Sequence, residues 1–470
     1  MKRLANHITV LGLARSGLDV CLAASESGAH VIGLDGRSPD LSSPEGREAD
    51  SLCDLRLEYA GDLPECTEVL VVSPGVRREH PLVQQAQSRG IPVWSEIEFA
   101  SRMTVNPVTA ITGTNAKSTT AMLTAHLLNT GGRRAVLCGN IAADEIKMTM
   151  TRAVLEARPG DVLVVEVSSY QLLFVDTLRP HAAVWTTLSP DHMDVHRDMD
   201  DYASTKARLF AQMDIDDVAV LPAGRDADDM MRYLHTGASL RRFTHLFPDA
   251  RGDEDAVVAD GEWVLHVQGQ QVRPLFRMNQ YPLIGAHNRR NLSAAVALAL
   301  AFDPDWKSVE RMLGSVQALP HRMELVRIYR GVSYVNNSMC TNVDAVIHSL
   351  EAIDTPYILI AGGRDKGRSA FGAWAPVLQR GCRQVLLMGE AAPVIEADLR
   401  EAGWTQTRLV DDMDEAVLIS RDLALPADTV ILAPGCASFG QYVNFEARGE
   451  AFRHAVHRMV AMGGGEHAIE

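Results

Sequence analysis

The sequence predicts an α/β chain of three domains, each built around a parallel or mostly parallel sheet. Short β-branched runs alternate with helix-length segments from "HITVLGL" to "TVILAPG", which is the mark of βαβ units. Two of these runs open directly into glycine-containing loops followed by helical periodicity, "ITVLGLARSG" and "TAITGTNAKST". The chain has 470 residues, 46% hydrophobic and 22% charged, enough core material for about three compact domains.

Taken in order, "HITVLGL", "HVIGLD", "EVLVVS" and "PVWS" give the strands of a Rossmann-like first domain, residues 1–104, ending at "SRMTVNP". "VTAITG", "DVLVVEVSS" and "HAAVWTTL" belong to a central, P-loop-ATPase-like domain, residues 105–317. Its least regular part is 222–280, where Asp and Gly cluster; loops and some antiparallel strand are expected there. The break near 318, at "QALPHRMELV", leads into a Rossmann-like C-terminal domain, residues 318–470, with strands at "YILIAGG", "QVLLMG" and "TVILAPG".

A net charge of −15 argues against a nucleic acid as main partner, though a few local cations and helix N-termini can still hold a small anion. No run of about 18 apolar residues is present to insert in a membrane. The opening "MKRLANHITVLGL" reads as a first strand rather than a signal peptide, its apolar stretch being short and broken by glycine. Seven scattered cysteines without a C-x-x-C pair fit reduced cytoplasmic thiols rather than a disulfide frame or zinc site.

Three segments carry chemistry. In "ITVLGLARSGLDVCLAASESGAHVIGLD", Gly12, Ala14 and Gly17 stand at G-x-A-x-x-G spacing after a strand, and Asp35 ends the next one. That approximates a dinucleotide fingerprint: a tight turn, a helix N-terminus for phosphate, an acid for ribose hydroxyls. Plain α/β packing uses the same pattern. In "ITGTNAKSTTAMLTAHLL", backbone N–H groups can face phosphate oxygens, Lys117 can neutralise charge, and Ser118 or Thr119 can ligate Mg²⁺. Glu166, at the end of the apolar strand in "DVLVVEVSS", is well placed to hold that ion. The third segment, "SPDHMDVHRDMDDYASTKARLF", gathers Asp191, His192, Asp194 and His196 ahead of Lys206. Its alternative is a solvated loop entering a helix.

Together these segments resemble the Mur ligase family, ATP-dependent amide-forming enzymes of peptidoglycan precursor synthesis. The resemblance runs nearly end to end. "GTNAKSTT" is similar to the family's GTNGKTT loop, "EVSSYQL" to its E-[LV]-SS-[FY]-QL segment, and "SPDHMDVH" with Lys206 to the DHLD-H stretch and the lysine that is carbamylated. "GAHNRRNLSAA" resembles the HN-x-x-N adenine segment, "LPHRMELV" the hinge into the last domain, and "AGGRDKG" and "APGCASFGQYVNFEARGEAF" the C-terminal patterns. "SPGV" and "SEIEF" add to this in the first domain.

The resemblance implies that ATP converts the carboxylate of UDP-N-acetylmuramoyl-L-alanine to an acyl phosphate, which the amine of D-glutamate attacks. Positioning and cations dominate such chemistry. By the same resemblance Gly113, Thr114, Asn115, Lys117, Ser118 and Thr119 cradle the ATP phosphates. Asn288 and Asn291 face adenine, with Arg322 and Asn337 completing the ATP site. Two Mg²⁺ ions are implied, one on Ser118 and Glu166 and one served by His192 and carbamylated Lys206; Lys117, His192 and Lys206 are the implied catalytic residues. The first domain is implied to hold UDP rather than NAD, through Gly12, Leu13, Arg15, Ser16, Asp35, Arg37, Ser73 and Gly75. Asn140 and Ser168 would lie nearer the reacting end of that substrate. Thr341, Lys366, Ser438, Phe439 and Phe445 are implied for the acceptor. The expected protein is a cytoplasmic monomer acting on small molecules.

Departures from the family pattern are Ala116 for Gly, Ser118 for Thr, Asn337 for Asp, Met339 for Lys, and Gly440 for an acid. Ser118 keeps the hydroxyl. Ala116 costs roughly 1–2 kcal/mol if the loop needs positive φ and almost nothing if the position is helical. Asn337 and Met339 together remove one charge of each sign, as though an ion pair were lost. Competing functions are a Mur-type ligase with another acceptor such as L-glutamate, an NAD-dependent oxidoreductase, and a non-catalytic nucleotide-binding regulator. The oxidoreductase leaves the phosphate loop, Glu166 and the C-terminal third unexplained.

Overall fold

The computed structural model describes residues 3–462 except 40, 142–147, 194, 247–254, 284, 318–319, 366 and 368–369. The chain divides into two compact units. The first comprises Met1–Leu188, Val195–Pro282 and Asn288–Val316, and the second Ser189–Asp194, Leu283–His287 and Gln317–Glu470.

The first unit contains two sheets. The N-terminal one has β1 (His7–Leu11), β2 (His30–Leu34), β3 (Asp54–Arg56), β4 (Val69–Val72) and β5 (Val93–Ser95). All its pairings are parallel, in the order β3-β2-β1-β4-β5. Both faces are covered, which is why these strands are continuous apolar runs. On one face the Arg15–Glu26 helix packs Leu18, Cys21 and Leu22 against Ile8, Val10 and Val31. On the other, Leu82, Val83 and Ala86 of the Pro81–Ser88 helix meet Leu11, Ile32 and Leu70, joined by Leu173 and Phe174 from the next sheet's connections. The chain reverses winding between β1 and β4, the position where doubly wound sheets open a ligand crevice.

The second sheet has nine strands: β6 (Val108–Thr112), β7 (Ala135–Gly139), β8 (Val162–Glu166), β9 (Ala182–Trp185), β10 (Val218–Pro222), β11 (Ser239–Thr244), β12 (Asp255–Asp260), β13 (Trp263–Gln268) and β14 (Gln271–Arg277). Their order is β14-β13-β12-β11-β10-β9-β6-β8-β7. It is parallel from β7 to β12 and antiparallel across β12-β13-β14. The stretch expected to be loops with some antiparallel strand holds β11 to β14, of which β12, β13 and β14 form the antiparallel part, together with a short helix at Arg225–Met231. Gly261 and Gly269 close its two hairpins at φ +57°, a conformation that two-residue turns demand.

The two sheets of this unit are tied by buried polar contacts. Glu98 is fully buried and accepts from the N–H groups of Asp176, Thr177 and Leu178 and from Arg102 Nε at 2.6 Å. Glu96 accepts from the N–H and hydroxyl of Thr151 at 2.6 and 2.8 Å. Burial raises its pKa to about 7, against those hydrogen bonds.

The second unit holds β15 (Glu324–Tyr329), β16 (Val332–Asn336), β17 (Tyr357–Gly362), β18 (Cys382–Met388), β19 (Thr407–Leu409) and β20 (Thr429–Leu432). The order is β15-β16-β20-β17-β18-β19, parallel except for β15. Leu359, Leu387 and Ile431 face one apolar layer, while Ile360, Leu386 and Leu432 face the other. The fold class is therefore α/β with three mostly parallel sheets. All seven cysteines are free thiols, and no helix among the described residues is long and apolar enough to cross a membrane.

Candidate active site

β6 ends at Thr112, and the Lys117–Thr130 helix begins five residues later. The intervening loop is clamped by the residues that follow β9. Thr114 N–H donates to Thr187 O at 2.9 Å, Asn115 N–H to Thr187 Oγ1 at 2.8 Å, and Thr186 Oγ1 to Asn115 O at 2.6 Å. Gly113 has φ +147°, and an added Cβ would fall 2.0 Å from Thr186 Oγ1. Ala116 caps the helix at φ +70°, ψ −5°. This is the left-handed conformation a glycine adopts freely, so the loop holds a strained alanine.

Two amines converge on this loop. Lys117 Nζ donates to Thr114 O at 2.9 Å, and Lys206 Nζ donates to Gly113 O at 2.9 Å. Lys206, on the Met199–Ala207 helix, is only 1% exposed and lies 4.5 Å over the Tyr202 ring, whose hydroxyl is 3.2 Å from Thr114 Oγ1. Glu166 ends β8, in register with Ile111 of β6, and is buried. Its Oε1 accepts from Asn140 Nδ2 at 3.3 Å, and its carbonyl from Asn140 N–H at 2.9 Å. Gly139 permits that approach, since a Cβ there would lie 2.2 Å from Glu166 O. Ser118 and Thr119 are buried at the helix start. Carboxylate and hydroxyl oxygens of this kind suit a hard ion such as Mg²⁺. Among the described residues no group of three His, Cys, Asp or Glu side chains forms a metal cage.

Past the end of β8, Ser168 N–H and Oγ each bond Gln171 Oε1 at 3.0 Å. His196 has its Nε2 3.0 Å from Ser169 Oγ and its Nδ1 3.4 Å from Asp201 Oδ2. Burial lowers its pKa, with Asp201 opposing. Asn288 and Asn291 share the Ala286–Ala299 helix, Asn291 Nδ2 reaching Asn288 Oδ1 at 3.4 Å.

At the β1/β4 switch point, Gly12 turns at φ +91° with Ser73 against it, and Ser73 Oγ donates to Gly12 O at 2.7 Å. Ser16 Oγ reaches Ser73 Oγ at 3.3 Å, and Arg15 opens the helix. Asp35 accepts Leu13 N–H at 2.7 Å and Arg37 N–H at 2.9 Å, one on each carboxylate oxygen. It therefore welds the first loop to the second, while Gly75 follows Ser73 with open space where a Cβ would point.

In the second unit, His192 has φ +58° and donates its N–H to Asp191 Oδ1 at 3.0 Å. Asp194 lies outside the described residues. Arg322 Nε and Nη2 contact Met339 Sδ at 3.2 and 2.8 Å. Asn337 Nδ2 donates to Ser349 Oγ at 2.7 Å, and that hydroxyl in turn donates to Ala345 O. An ionised Asp has no proton to offer the serine, so the amide at 337 has a structural reason. Asn337 and Met339 thus serve different partners.

Ser438 is buried and Phe439 exposed, and Arg364 and Ala437 exchange backbone hydrogen bonds at 2.8 and 2.9 Å. Phe445 starts the Phe445–Met462 helix, its ring edge-on to His321. Thr341 lies just before that unit's Val343–Glu351 helix, and Lys366 is outside the described residues. Gly440 adopts φ +102°, so replacing an acid there suits the backbone.

Sequence reasoning overlooked Thr186 and Thr187, the clamp on the phosphate loop. Their position at the C-terminal end of a parallel strand was the available signal.

A phosphate-type loop, an acid on the adjacent strand and two amines, Lys206 buried and Lys117 partly exposed, have the make-up of a nucleotide-dependent group-transfer centre. The family model for the Mur ligase middle domain matches residues 111–299, and that for the Mur ligase glutamate ligase domain matches 321–436. The chain belongs to the Mur ligase family. The UDP-N-acetylmuramoylalanine–D-glutamate ligase of Pelotomaculum thermopropionicum is 35% identical over 454 residues, covering 96% of this chain and 97% of that protein. The enzyme of the same name from Salinibacter ruber is 35% identical over 464 residues, covering 96% and 98%. The crystal structure of MurF from Acinetobacter baumannii shares the fold, with a TM-score of 0.60 at 14% identity over 95% of this chain and 93% of that one.

Proposed function

We propose that this chain is an ATP-dependent acid–amino-acid ligase that joins D-glutamate to UDP-N-acetylmuramoyl-L-alanine in peptidoglycan precursor synthesis. The observation that carries this is the convergence of Lys117 and Lys206 on the carbonyls of Gly113 and Thr114 beside Glu166, in a chain that matches such ligases along nearly its whole length.

In this reading three domains divide the work: residues 1–104 hold the UDP substrate, 105–317 hold ATP, and 318–470 hold the acceptor. The substrate carboxylate attacks the γ-phosphorus, forming an acyl phosphate and ADP; the glutamate amine then adds to the acyl carbon and phosphate departs. Lys117 leaves Thr114 O to meet the β- and γ-phosphates, the loop N–H groups orient them, and Asn288 with Asn291 contacts the base. Ser118 and Glu166 would hold a Mg²⁺, which would supply charge neutralisation of the transferring phosphoryl group. Lys206, whose ammonium would repel a cation, would serve a second ion only as its carbamate, the adduct of the neutral amine with CO₂ after loss of one proton. At the first domain, Asp35 acts mainly by fixing the Leu13 and Arg37 backbone, leaving the Gly12–Gly17 turn and Ser73 to meet the UDP phosphates. The expected setting is a cytoplasmic monomer.

Release of ADP from purified protein, measured with UDP-N-acetylmuramoyl-L-alanine and each candidate amino acid in turn, tests the proposal. D-Glutamate should be the best acceptor. Lys117→Ala should fold normally and lose at least about 10²-fold in turnover, because it removes the main charge on the transferring group. Near-normal ADP formation by this variant, or a neutral amino acid as best acceptor, contradicts the assignment.

A further inference from the structure

Arg448, on the first turn of the Phe445–Met462 helix, is 2% exposed. Each of its three nitrogens donates: Nε to Ser338 Oγ at 3.1 Å, Nη2 to Ser338 O at 2.9 Å, and Nη1 to Cys436 O at 3.0 Å. Ser338 Oγ passes the contact on, donating to Phe445 O at 2.7 Å. On a third side is Gly363, where an added Cβ would lie 3.1 Å from Nη1. Ser338, Gly363 and Cys436 follow β16, β17 and β20, and β20 lies between the other two in the sheet. One guanidinium therefore braces three segments at the C-terminal ends of adjacent parallel strands, the side where α/β sheets bind ligands.

Every acceptor of this fork is a neutral oxygen. Among the described residues no carboxylate bonds to Arg448 or figures among the charges acting on it; its titratable neighbours are Cys436, Cys340 and Tyr442. Burial lowers its pKa to about 10, which leaves it charged at neutral pH. A buried cation without a counter-anion is a costly arrangement for a purely structural brace, since neutral donors could hold the same carbonyls. The cost is offset when an anionic ligand arrives nearby, because a fixed charge in a desolvated region acts over several ångströms.

We propose that Arg448 is a positioning residue for the acceptor. It holds the Ser338, Gly363 and Cys436 segments in register, and its enclosed charge favours an acceptor bearing two carboxylates over the corresponding amides. The inference rests on the ligase reading above and deepens it by assigning part of the acceptor preference to a residue that need not touch the acceptor.

The test compares full-length wild type, Arg448→Gln and Arg448→Lys with D-glutamate, D-glutamine and D-isoglutamine as acceptors, alongside thermal unfolding. Arg448→Gln removes the charge while keeping donor capacity. Its preference for D-glutamate over at least one amide should fall about tenfold, mainly through the acceptor KM, with the KM for ATP changing less than about twofold. Arg448→Lys should keep the preference within about threefold while raising the acceptor KM. If Arg448→Gln folds and retains the wild-type preference over both amides, the inference is overturned although the ligase reading stands. If Arg448→Gln fails to fold, the Lys variant decides: loss of the preference there is also fatal. A wild type that turns over no D-glutamate removes the ligase reading and this inference together.

Discussion

Arg78 and Asp201 join the N-terminal sheet to the helix that carries Lys206, with Nη1 2.9 Å from Oδ1 and Nη2 3.2 Å from Thr205 Oγ1. The other oxygen of Asp201 faces His196, which in turn meets Ser169 behind Glu166. A contact outside the phosphate loop thus sets the stance of the Met199–Ala207 helix. Arg78→Ala should destabilise the protein by about 1–2 kcal/mol, the pair being half-exposed on the arginine side. It should also lower kcat more than it raises the ATP KM. Urea denaturation with steady-state kinetics checks this; unchanged kcat would show that the helix holds its place unaided.

Ala116 keeps a left-handed backbone at the mouth of the phosphate loop. Ala116→Gly relieves roughly 1–2 kcal/mol of strain and gives back roughly 0.5–1 kcal/mol in unfolded-chain entropy. The net expectation is a gain of about 0.5–1 kcal/mol in unfolding free energy. A lower melting temperature for the glycine variant is the opposite result.

Lys206→Ala should be nearly inactive, since neither ammonium nor carbamate remains beside Gly113. Acetate or formate should restore part of the rate by offering oxygen ligands in place of the carbamate. The titration is done at constant ionic strength. An unmodified Lys206 in fully active enzyme, seen by mass spectrometry under conditions that preserve carbamates, rules the modification out.

Glu96 introduces a pH dependence whose sign follows from its raised pKa, about 7 against an ordinary 4.5. Between those values the folded chain binds a proton that the unfolded chain has released, so this group's contribution to stability falls as pH rises and levels off above about 7. Glu96→Gln retains an acceptor for Thr151 and cannot ionise. It should stabilise the protein by up to about 3 kcal/mol at pH 8 and hardly at all near pH 4.5, measured by thermal unfolding at both pH values. An equal effect at both excludes Glu96 ionisation as the cause.

Much of the phosphate-loop region was legible because local rules govern it: a strand ends, small residues turn, a helix starts, and an acid ends another apolar strand. The switch-point turn at Gly12 was legible for the same reason. β7 and β10 passed unnoticed, short runs that differ little from buried helix segments until their neighbours are known. The antiparallel extension β12-β13-β14 was legible through its Gly and Asp turns, though not strand by strand. Residues whose role depends on distant partners were least visible: Thr187 beneath Asn115, Glu98 beneath three N–H groups, and Arg448 among neutral carbonyls. The amide of Asn337 looked like half of a lost ion pair because its serine partner lies on a different element.

The position of β6 between β8 and β9 bears on how the chain folds while it is being synthesised. The five strands of the N-terminal sheet are complete by Ser95, so their pairing can form early, before Leu173 and Phe174 arrive to finish one face. β6 is finished at Thr112 but has no neighbour to pair with until β8 begins at Val162. At about 5–20 residues per second the ribosome leaves this apolar strand unpaired for roughly 3–10 s. Over that interval the strand that will carry the phosphate loop presents two open edges, the kind of surface that makes a nascent chain prone to aggregate without chaperone cover.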